Sequence, residues 1–307
     1  MHGEPQRLTV YTSAHAHSSV EKAALLADFG RANVRAVPCD DNYAMRADAL
    51  AAMIEADVAA GCLPCAVVAT VGTTTTTAID PVETIGRLAA QHQMWLHVDG
   101  AMAGSAMILP ECRWMWAGVE RADSLVVNPH KWLGVPFDCS LYYVRDGEHL
   151  MRVMSTNPSY LQTNVDAQVK SLRDWGIPLG RRFRALKLWF VLREQGLTGL
   201  QARLRRDMAN AKMLEGEVIA AKRWKVLAPV VLQTLCVRHE PDGVEGEALD
   251  RHTLDWVERV NRSGEAYLTS SVLDGRWMVR VSIGGEETQA EDVARVWSAM
   301  RTAAEGG

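Results

Sequence analysis

The segment Ser124-Leu-Val-Val-Asn-Pro-His-Lys-Trp132 joins a short apolar run to a polar turn that carries a lysine. A second junction of the same kind lies upstream, where the apolar run that leads into His97-Val-Asp99 gives way to glycine. Short continuous apolar runs are typical of strands that are buried on both faces of a parallel sheet. Because such strands present their carboxyl ends at one edge of the sheet, we expect Lys131 and Asp99 to reach a common crevice.

Lys131 and Asp99 together have the chemistry that one cofactor requires. A lysine amine adds to a carbonyl group to form a covalent adduct, and a carboxylate beside a ring nitrogen keeps that nitrogen protonated. The pair therefore indicates pyridoxal 5'-phosphate (PLP), held by Lys131 as a Schiff base and by Asp99 at the pyridine nitrogen. Two simpler interpretations stay open on local sequence alone: Asp99 as the N-cap of a helix, and Lys131 as a solvated loop residue.

The rest of the N-terminal half alternates strands with helices. The clearest helix signal is Asp80-Pro-Val-Glu83, which combines an N-cap residue, a proline at the first helical position and an acidic residue in the first turn. Ser18 and Glu21 have the spacing of a capping box, and Gly30 is the expected end of that helix. The alternation predicts an α/β fold with a mostly parallel sheet, in which residues 139–144 form an antiparallel or edge strand. Strands are expected at residues 8–12, 33–37, 65–70, 94–98 and 124–127, and helices at 18–30, 46–60 and 80–91.

After Asp146 the pattern changes to that of a smaller α+β unit. The polar stretch at residues 155–170 predicts a mobile loop. Asp274-Gly275 lies between two apolar runs and predicts a hairpin turn. We therefore divide the chain into a large PLP-binding domain, residues 1–185, and a small C-terminal domain, residues 186–307. In this part helices are expected at residues 180–221, 254–261 and 288–303, and strands at 224–227, 230–237, 266–272 and 277–283.

The composition favours a globular protein and argues against several classes of partner. The 307 residues include 37 acidic and 33 basic side chains without a basic stripe, so a nucleic-acid partner is not expected. Every apolar stretch is far shorter than the ~20 residues of a membrane span, and the polar N-terminus lacks the apolar core of a signal peptide. We therefore expect a cytoplasmic protein with no membrane partner, whose six scattered cysteines are reduced.

Two other groups of residues have metal-ligand or redox character. His97, Asp99 and His130 carry donor atoms that suit zinc or iron. The ammonium of Lys131, next to His130, would repel such a cation, so a metal site is not favoured. Cys62-Leu-Pro-Cys65 has the spacing of a zinc or redox pair, but a second ligand pair is missing and ordinary half-buried thiols are favoured. Neither the dinucleotide-binding nor the P-loop glycine motif is present in the sequence.

Seven motifs in a fixed order give the chain a wider likeness. The chain resembles the PLP-dependent group II decarboxylases, the family of aromatic-L-amino-acid decarboxylase, over nearly its whole length. The resemblance implies a fold-type-I PLP enzyme that removes the carboxyl group of an aromatic L-amino acid of the DOPA, tyrosine or tryptophan type, giving the amine and carbon dioxide. The motifs are Ala14-His-Ala-His-Ser-Ser-Val-Glu-Lys22, Val68-Ala-Thr-Val-Gly-Thr-Thr74, His97-Val-Asp-Gly-Ala101, Asn128-Pro-His-Lys-Trp132, Phe137-Asp-Cys139, Pro158-Ser-Tyr-Leu161 and Ile177-Pro-Leu-Gly-Arg-Arg-Phe-Arg184.

The resemblance also implies a role for particular residues. It makes Lys131 the Schiff-base lysine, Asp99 the partner of the pyridine nitrogen and His17 the histidine that stacks on the cofactor ring. Tyr160 corresponds to a loop tyrosine that delivers a proton to Cα after carbon dioxide has left. Because relatives with phenylalanine at this place form aldehydes, Tyr160 and His17 together favour simple decarboxylation. Four further residues are expected to contact the imine region, the phosphate or the ring of the cofactor: Asn128, His130, Thr70 and Ala101.

Members of the family extend further at the N-terminus than this chain does. The part that precedes Leu8 in them supplies a phosphate-binding turn and much of the aromatic pocket, so we expect this chain to bind PLP weakly. The resemblance also implies a homodimer with shared active sites, in which the Tyr160 loop reaches the partner subunit. Two alternative functions stay open: an inactive remnant of the fold that only dimerises, and a PLP-dependent aldehyde synthase.

Overall fold

A six-stranded sheet organises the N-terminal part of the chain. The structure, a computed structural model, describes residues 6–155 and 172–306. The strands of this sheet are β1 (Leu8–Ser13), β2 (Val34–Val37), β3 (Leu63–Thr70), β4 (Trp95–Asp99), β5 (Ser124–Val127) and β6 (Leu141–Val144). They lie in the order β2-β1-β3-β4-β5-β6, with β1 to β5 parallel and β6 antiparallel to β5 at one edge. The predicted α/β fold class is confirmed, and so is the antiparallel edge strand.

Burial on both faces explains why the central strands have continuous apolar sequences. Successive side chains of a strand point to opposite faces of the sheet. In β3, Val67 is 0 % exposed and its neighbour Val68 only 7 %, so both faces of this strand are covered. The strand ends are also aligned, because Thr70 pairs with Asp99 and Asp99 pairs with Val126. This alignment sets Thr70 beside Asp99, and Asn128 follows two residues after the Val126 that pairs with Asp99.

The helices between these strands follow the predicted order with shorter bounds. The capping box expected at Ser18 does not form, since the Ser18 side chain makes no cap and Glu21 instead pairs with Arg31 at 2.8 Å. The first helix ends before Gly30, because Asp28 adopts a left-handed backbone with φ of 61°. These helices are α1 (Ser19–Leu26), α2 (Ala47–Ala59) and α3 (Val82–Gln91).

Asp80, which was predicted to cap α3, binds backbone groups elsewhere. Its Oδ1 accepts a hydrogen bond from Met45 N at 2.7 Å, and its Oδ2 accepts one from Thr70 N at 2.7 Å. No side chain caps α3, which follows directly after Pro81. Because Asp80 is only 1 % exposed, it joins the end of β3 to the segment before α2 from inside the protein. The predicted helix is present, and the predicted cap is wrong.

The burial of Asp80 leads to a pH-dependent stability. Burial raises the pKa of Asp80 to about 6, although the hydrogen bonds from Thr70 and Met45 lower it. The unfolded chain releases this proton near pH ~4, so folding takes up a proton between about pH 4 and 6. The contribution of this carboxyl group therefore stabilises the fold below about pH 4 and is lost as the pH rises through about 6, a loss of about 3 kcal/mol by pH 7.

Denaturant unfolding of the wild type and of Asp80→Asn checks this expectation. Asparagine does not titrate, so the free energy of unfolding of the wild type should fall relative to that of the variant by up to about 3 kcal/mol from pH 4 to pH 7. A difference between the two proteins that stays constant over this range would contradict it.

One α-helix of this part was not predicted. α4 (Gly147–Met154) follows β6, and the Asp146 side chain caps it by accepting a hydrogen bond from His149 N at 2.8 Å. An acidic N-cap of this kind satisfies one of the free N–H groups of the first turn. The predicted loop at residues 155–170, which contains Tyr160, falls outside the described residues except for Ser155.

A four-stranded antiparallel sheet organises the C-terminal part. Its strands and the helices around it are β7 (Trp224–Val226), β8 (Thr234–His239), β9 (Thr269–Leu273), β10 (Arg276–Ser282), α5 (Ala185–Ala220), α6 (Gly246–Ser263) and α7 (Ala290–Glu305). The strand order is β7-β8-β10-β9. Asp274 and Gly275 turn the chain between β9 and β10 with φ of 50° and 73°, as the predicted two-residue hairpin requires.

Several bounds in this part differ from the prediction. β8 begins at Thr234 instead of residue 230, because Val230 and Leu232 are buried without strand pairing. α6 begins at Gly246 instead of residue 254, since its first two turns are mostly polar and give little apolar periodicity. α5 is interrupted at Gly196, whose φ of 62° lies outside the helical region. None of the helices in the described ranges is long and apolar enough to cross a membrane.

The turn after β3 connects the two sheets. Arg280 on β10 donates from Nη1 to the carbonyl oxygen of Thr74 at 2.6 Å. Cys236 on β8 donates from Sγ to the carbonyl oxygen of Thr75 at 3.2 Å. The second sheet is therefore held against the turn that follows the carboxyl end of β3.

Candidate active site

Four of the predicted site residues meet at the carboxyl edge of the first sheet. Asp99 is 9 % exposed, and its Oδ1 accepts a hydrogen bond from Ala101 N at 3.0 Å. Ala101 in turn accepts at its carbonyl oxygen from Asn128 N at 3.2 Å, which ties the segment after β4 to the segment after β5. Thr70 lies in register beside Asp99. These four strand-end residues lie together as expected, and a crevice shared by Asp99 and Lys131 stays a prediction.

Lys131 sits in a tight turn just beyond β5. Its backbone N–H donates to Asn128 O at 2.9 Å, and its carbonyl accepts from Gly134 N at 3.2 Å. The exposed side chain of Lys131 lines a cavity of about 320 Å³ between the two sheets. The residues around this cavity are Thr74, Met102, Lys131, Trp132, Gln233, Arg280, Ser282 and Gly284.

The cavity is suited to an anionic group. Two cationic side chains, those of Lys131 and Arg280, line it, and the described residues around it include no carboxylate. The Nε of Arg280 is buried without a hydrogen-bond partner among the described residues, as are both polar atoms of the Gln233 side chain. Leaving a buried polar group unpaired costs about 1–3 kcal/mol, so unpaired polar groups on residues that line a cavity are typical of a ligand site.

Two more buried oxygen atoms lack partners near the strand ends. Within the described residues, neither the Thr70 Oγ1 atom nor the Asn128 Oδ1 atom makes a hydrogen bond. Both belong to residues predicted to contact the cofactor. Unpaired oxygen atoms therefore lie at the end of β3 and just after β5.

His97 is engaged inside the sheet and not at the crevice. Its Nδ1 lies 2.8 Å from Ser124 Oγ, which also accepts a hydrogen bond from Trp95 Nε1 at 2.8 Å. Burial lowers the pKa of His97, against the opposing effect of the Asp99 carboxylate. The ring is therefore neutral at neutral pH. Over the ranges that the structure describes, no group of three or more histidine, cysteine or acidic residues is arranged to hold a metal ion.

The two histidines with predicted cofactor roles lie apart from the Lys131 cavity. His130 directs Nδ1 at Cys139, 2.7 Å from its carbonyl oxygen, and packs edge-on against the Phe137 ring. His17 is exposed and keeps its Nδ1 2.8 Å from Ser19 Oγ. Neither ring is among the residues that line the cavity. The cofactor contacts of His17 and His130 stay predictions, and Tyr160 is outside the described residues.

The structure adds site residues that the sequence did not single out. Thr74 lies in the threonine run after β3, and its position just past a strand end could have identified it. Gln233 directly precedes β8 and Arg280 lies on β10, and both line the Lys131 cavity only because the two sheets pack together. Their local sequences give no sign of this contact.

Cys62 and Cys65 lie at the start of β3. Both are free thiols, and Cys62 is buried with its Sγ accepting a hydrogen bond from Arg7 Nη2 at 3.4 Å. Burial raises the pKa of Cys65, which disfavours its thiolate. The interpretation as ordinary thiols at the start of a strand accounts for this geometry.

A larger cavity elsewhere lacks the residues expected for catalysis. It measures about 1090 Å³, lies beside β5, β6 and α5, and is lined by apolar residues such as Ile108 and Leu133. It contains none of the predicted site residues. The smaller cavity at Lys131 is therefore the candidate active site.

Comparison with known proteins defines the class to which this fold and site belong. Residues 2–240 match the pyridoxal-dependent decarboxylase conserved domain. The chain therefore belongs to the pyridoxal-dependent decarboxylase family.

Two relatives and one solved structure are similar to the chain over nearly its whole length. The chain is 41 % identical over 304 residues to a tryptophan decarboxylase of Camptotheca acuminata, with 96 % of this chain and 60 % of that protein covered. It is 37 % identical to a phenylacetaldehyde synthase of Arabidopsis thaliana, with 96 % and 61 % covered. The crystal structure of the Oryza sativa enzyme TDC with PLP and tryptamine superposes with a TM-score of 0.94 at 37 % identity, covering 98 % of this chain and 63 % of that one. The chain thus spans about 60 % of the length of the plant tryptophan decarboxylase.

Proposed function

We propose that this protein is a PLP-dependent carboxy-lyase that converts an aromatic L-amino acid into the corresponding amine and carbon dioxide. The observation that carries the proposal is the cavity in which Lys131 and Arg280 meet beside the carboxyl edge of the sheet. A primary amine and a guanidinium in one cavity fit a ligand with both a carbonyl carbon and anionic groups. Membership of the pyridoxal-dependent decarboxylase family supports the same conclusion.

The residues present fit the cofactor PLP. Lys131 would hold its aldehyde carbon, and the Asp99 carboxylate would face the ring nitrogen. The side-chain oxygens of Thr70 and Asn128, buried and unpartnered among the described residues, would have to turn to reach its polar groups. When bound, PLP supplies an electron sink for the charge that remains on Cα when carbon dioxide leaves. Asp99 would stabilise the protonated ring through its negative charge, and its hydrogen bond from Ala101 N fixes the direction of the carboxylate.

Arg280 and Tyr160 complete the proposed roles. The Arg280 guanidinium, anchored by its bond to the Thr74 carbonyl, lines the cavity and would attract a substrate carboxylate into it. Tyr160 is proposed to return a proton to Cα, and His17 to hold the cofactor ring. The tyrosine is the feature that favours decarboxylation over aldehyde formation, as the resemblance implies.

An Arg280→Gln variant tests the role of the guanidinium. Loss of a charge-assisted contact to the carboxylate should raise KM for the amino acid by roughly 10- to 100-fold. Arg276→Gln is the matched control, because Arg276 is exposed at the start of the same strand and does not line the cavity. Steady-state kinetics at saturating PLP measure both variants. Equal KM values for Arg280→Gln and the control would contradict this role.

Assembly and location are further parts of the proposal. Large apolar side chains are exposed around the start of α5, including Ile177 at 93 %, Phe183 at 75 % and Phe190 at 63 %. Patches of this kind are typical of protein–protein interfaces and support a homodimer with shared active sites. Six free cysteines support a reducing, cytoplasmic environment. We keep the division into residues 1–185 and 186–307 as the proposed domain boundary.

Product analysis decides between the proposed function and its alternatives. The purified protein is incubated with PLP and, separately, L-tryptophan, L-DOPA and L-tyrosine, and the products are separated by chromatography. Amine without aldehyde supports the carboxy-lyase. Aldehyde with hydrogen peroxide indicates an aldehyde synthase, a class represented among the relatives. No product and no spectral change at saturating PLP would indicate an inactive remnant.

A further inference from the structure

Helix α5 contacts the Lys131 turn through a buried hydrogen bond. The indole Nε1 of Trp132 donates to Asp207 Oδ2 at 2.9 Å. Trp132 is 2 % exposed and Asp207 is 0 % exposed, so water does not compete for this bond. The partners are 75 residues apart in the sequence, and the bond therefore fixes the residue after Lys131 to a distant element.

Arg203, one turn earlier on α5, binds the backbone carbonyl groups of the same segment. Its Nη2 donates to Leu133 O at 2.6 Å and reaches Trp132 O at 3.3 Å. Gly134 adopts φ of +75°, and a Cβ built there would lie 2.5 Å from Arg203 Nη1. The glycine thus leaves room for the guanidinium. Together, Arg203 and Asp207 form a clamp on residues 132–134, called the α5 clamp below.

The α5 clamp is a costly arrangement for a purely structural contact. Burial lowers the pKa of Arg203 and raises the pKa of Asp207. Neither the Nε of Arg203 nor the Oδ1 of Asp207 has a hydrogen-bond partner among the described residues. Burying ionisable groups with incomplete hydrogen bonding is destabilising relative to apolar packing of the same volume. A cost of this kind is typical of residues that position a functional site.

The clamp reaches the active-site cavity through Trp132. The indole forms part of the cavity wall next to Lys131. On the far side of the clamp, Ala211, Leu214 and Val218 of α5 are fully buried in the core of the second sheet. One helix therefore connects the position of the Lys131 turn to the sheet that carries Arg280.

We propose that Asp207 and Arg203 are positioning residues that set the orientation of the Lys131 turn against the second sheet. The proposal rests on the proposed function for its consequence in PLP binding, but its structural part holds without any cofactor. Removing the Asp207 carboxylate frees the indole and loosens the turn. The Lys131 amine is then less well placed for its reaction.

Three variants with one control test this inference. Asp207→Ala removes the acceptor and Trp132→Phe removes the donor, whereas Asp207→Asn keeps an oxygen that accepts from the indole. Leu214→Ala is the control, because Leu214 is 0 % exposed on the same helix and has no part in the clamp. The PLP dissociation constant should rise roughly 10- to 100-fold in Asp207→Ala and in Trp132→Phe, as for other residues that orient a binding group. It should return to within a few-fold of the wild type in Asp207→Asn.

Amide hydrogen exchange without cofactor supplies a readout that does not depend on the proposed function. Exchange at the Lys131 and Gly134 amides, which are hydrogen-bonded within the turn, should become faster in Asp207→Ala and not in Leu214→Ala. Equal exchange in these two variants overturns the positioning role. The positioning role is also overturned if, in both Asp207→Ala and Leu214→Ala, the PLP dissociation constant rises in proportion to the loss of thermal stability. A wild type that binds no PLP would overturn the proposed function and leave the exchange result to decide the clamp.

Discussion

Lys131→Ala removes the absorbance band that the purified protein gives with PLP near the edge of the visible range, and lowers amine formation by about 10³-fold or more. The reason is that Lys131 is the only amine among the described residues that line the cavity. Without it the cofactor aldehyde has no nucleophile to hold it. Titration of each protein with PLP, followed by spectrophotometry and an amine assay, measures both effects.

Lys212→Ala is a suitable control for this experiment. Lys212 is an exposed lysine that pairs with Glu215 at 2.8 Å and takes no part in the cavity. It should keep both the band and the activity. A Lys131→Ala protein that still shows the band would mean that another amine holds the cofactor, and the proposed site would then be wrong.

Asp99→Asn has the second largest expected effect. The substitution preserves the shape of the side chain and an oxygen that can accept from Ala101 N, but removes the negative charge. A neutral partner does not keep a pyridine nitrogen protonated, so amine formation should fall by roughly 10²- to 10³-fold. The Lys131-dependent absorbance band should remain. Activity and spectrum therefore respond differently in the two site variants.

Asp123→Asn is the control for Asp99→Asn, because it also removes a carboxylate next to a strand of the same sheet. Asp123 Oδ2 accepts a hydrogen bond from Leu96 N at 2.8 Å, at the opposite end of β4 from Asp99. This variant should retain activity. If Asp99→Asn were as active as Asp123→Asn, the Asp99 carboxylate would have no role at the cofactor ring.

Much of the first sheet could be predicted because its strands carry their own signal. Runs such as residues 65–70 and 124–127 are continuous, apolar and short, which is what burial on both faces selects. The carboxyl-edge residues followed from topology, since parallel strands end together. Asp80 shows the limit of local rules, because a sequence that suits an N-cap also suits a buried acceptor for Met45 and Thr70.

The remaining site residues could not be predicted because their contacts are long-range. Arg280 meets Thr74 across 206 positions of the chain, and Asp207 meets Trp132 across 75. Neither residue belongs to a motif, and a buried charged residue on α5 is locally indistinguishable from a solvated one. Only the packing of the second sheet against the first reveals them.

The contact between Arg280 and the Thr74 carbonyl has a thermal consequence. The Lys131 cavity is lined by residues from both parts of the chain, and each part has its own hydrophobic core. The cavity therefore exists only while the two parts are packed together. On heating, bound PLP should dissociate when the two parts separate, before the helical circular dichroism signal is lost. Bound PLP should in turn raise the temperature at which the two parts separate, and should leave the unfolding temperature of each part nearly unchanged.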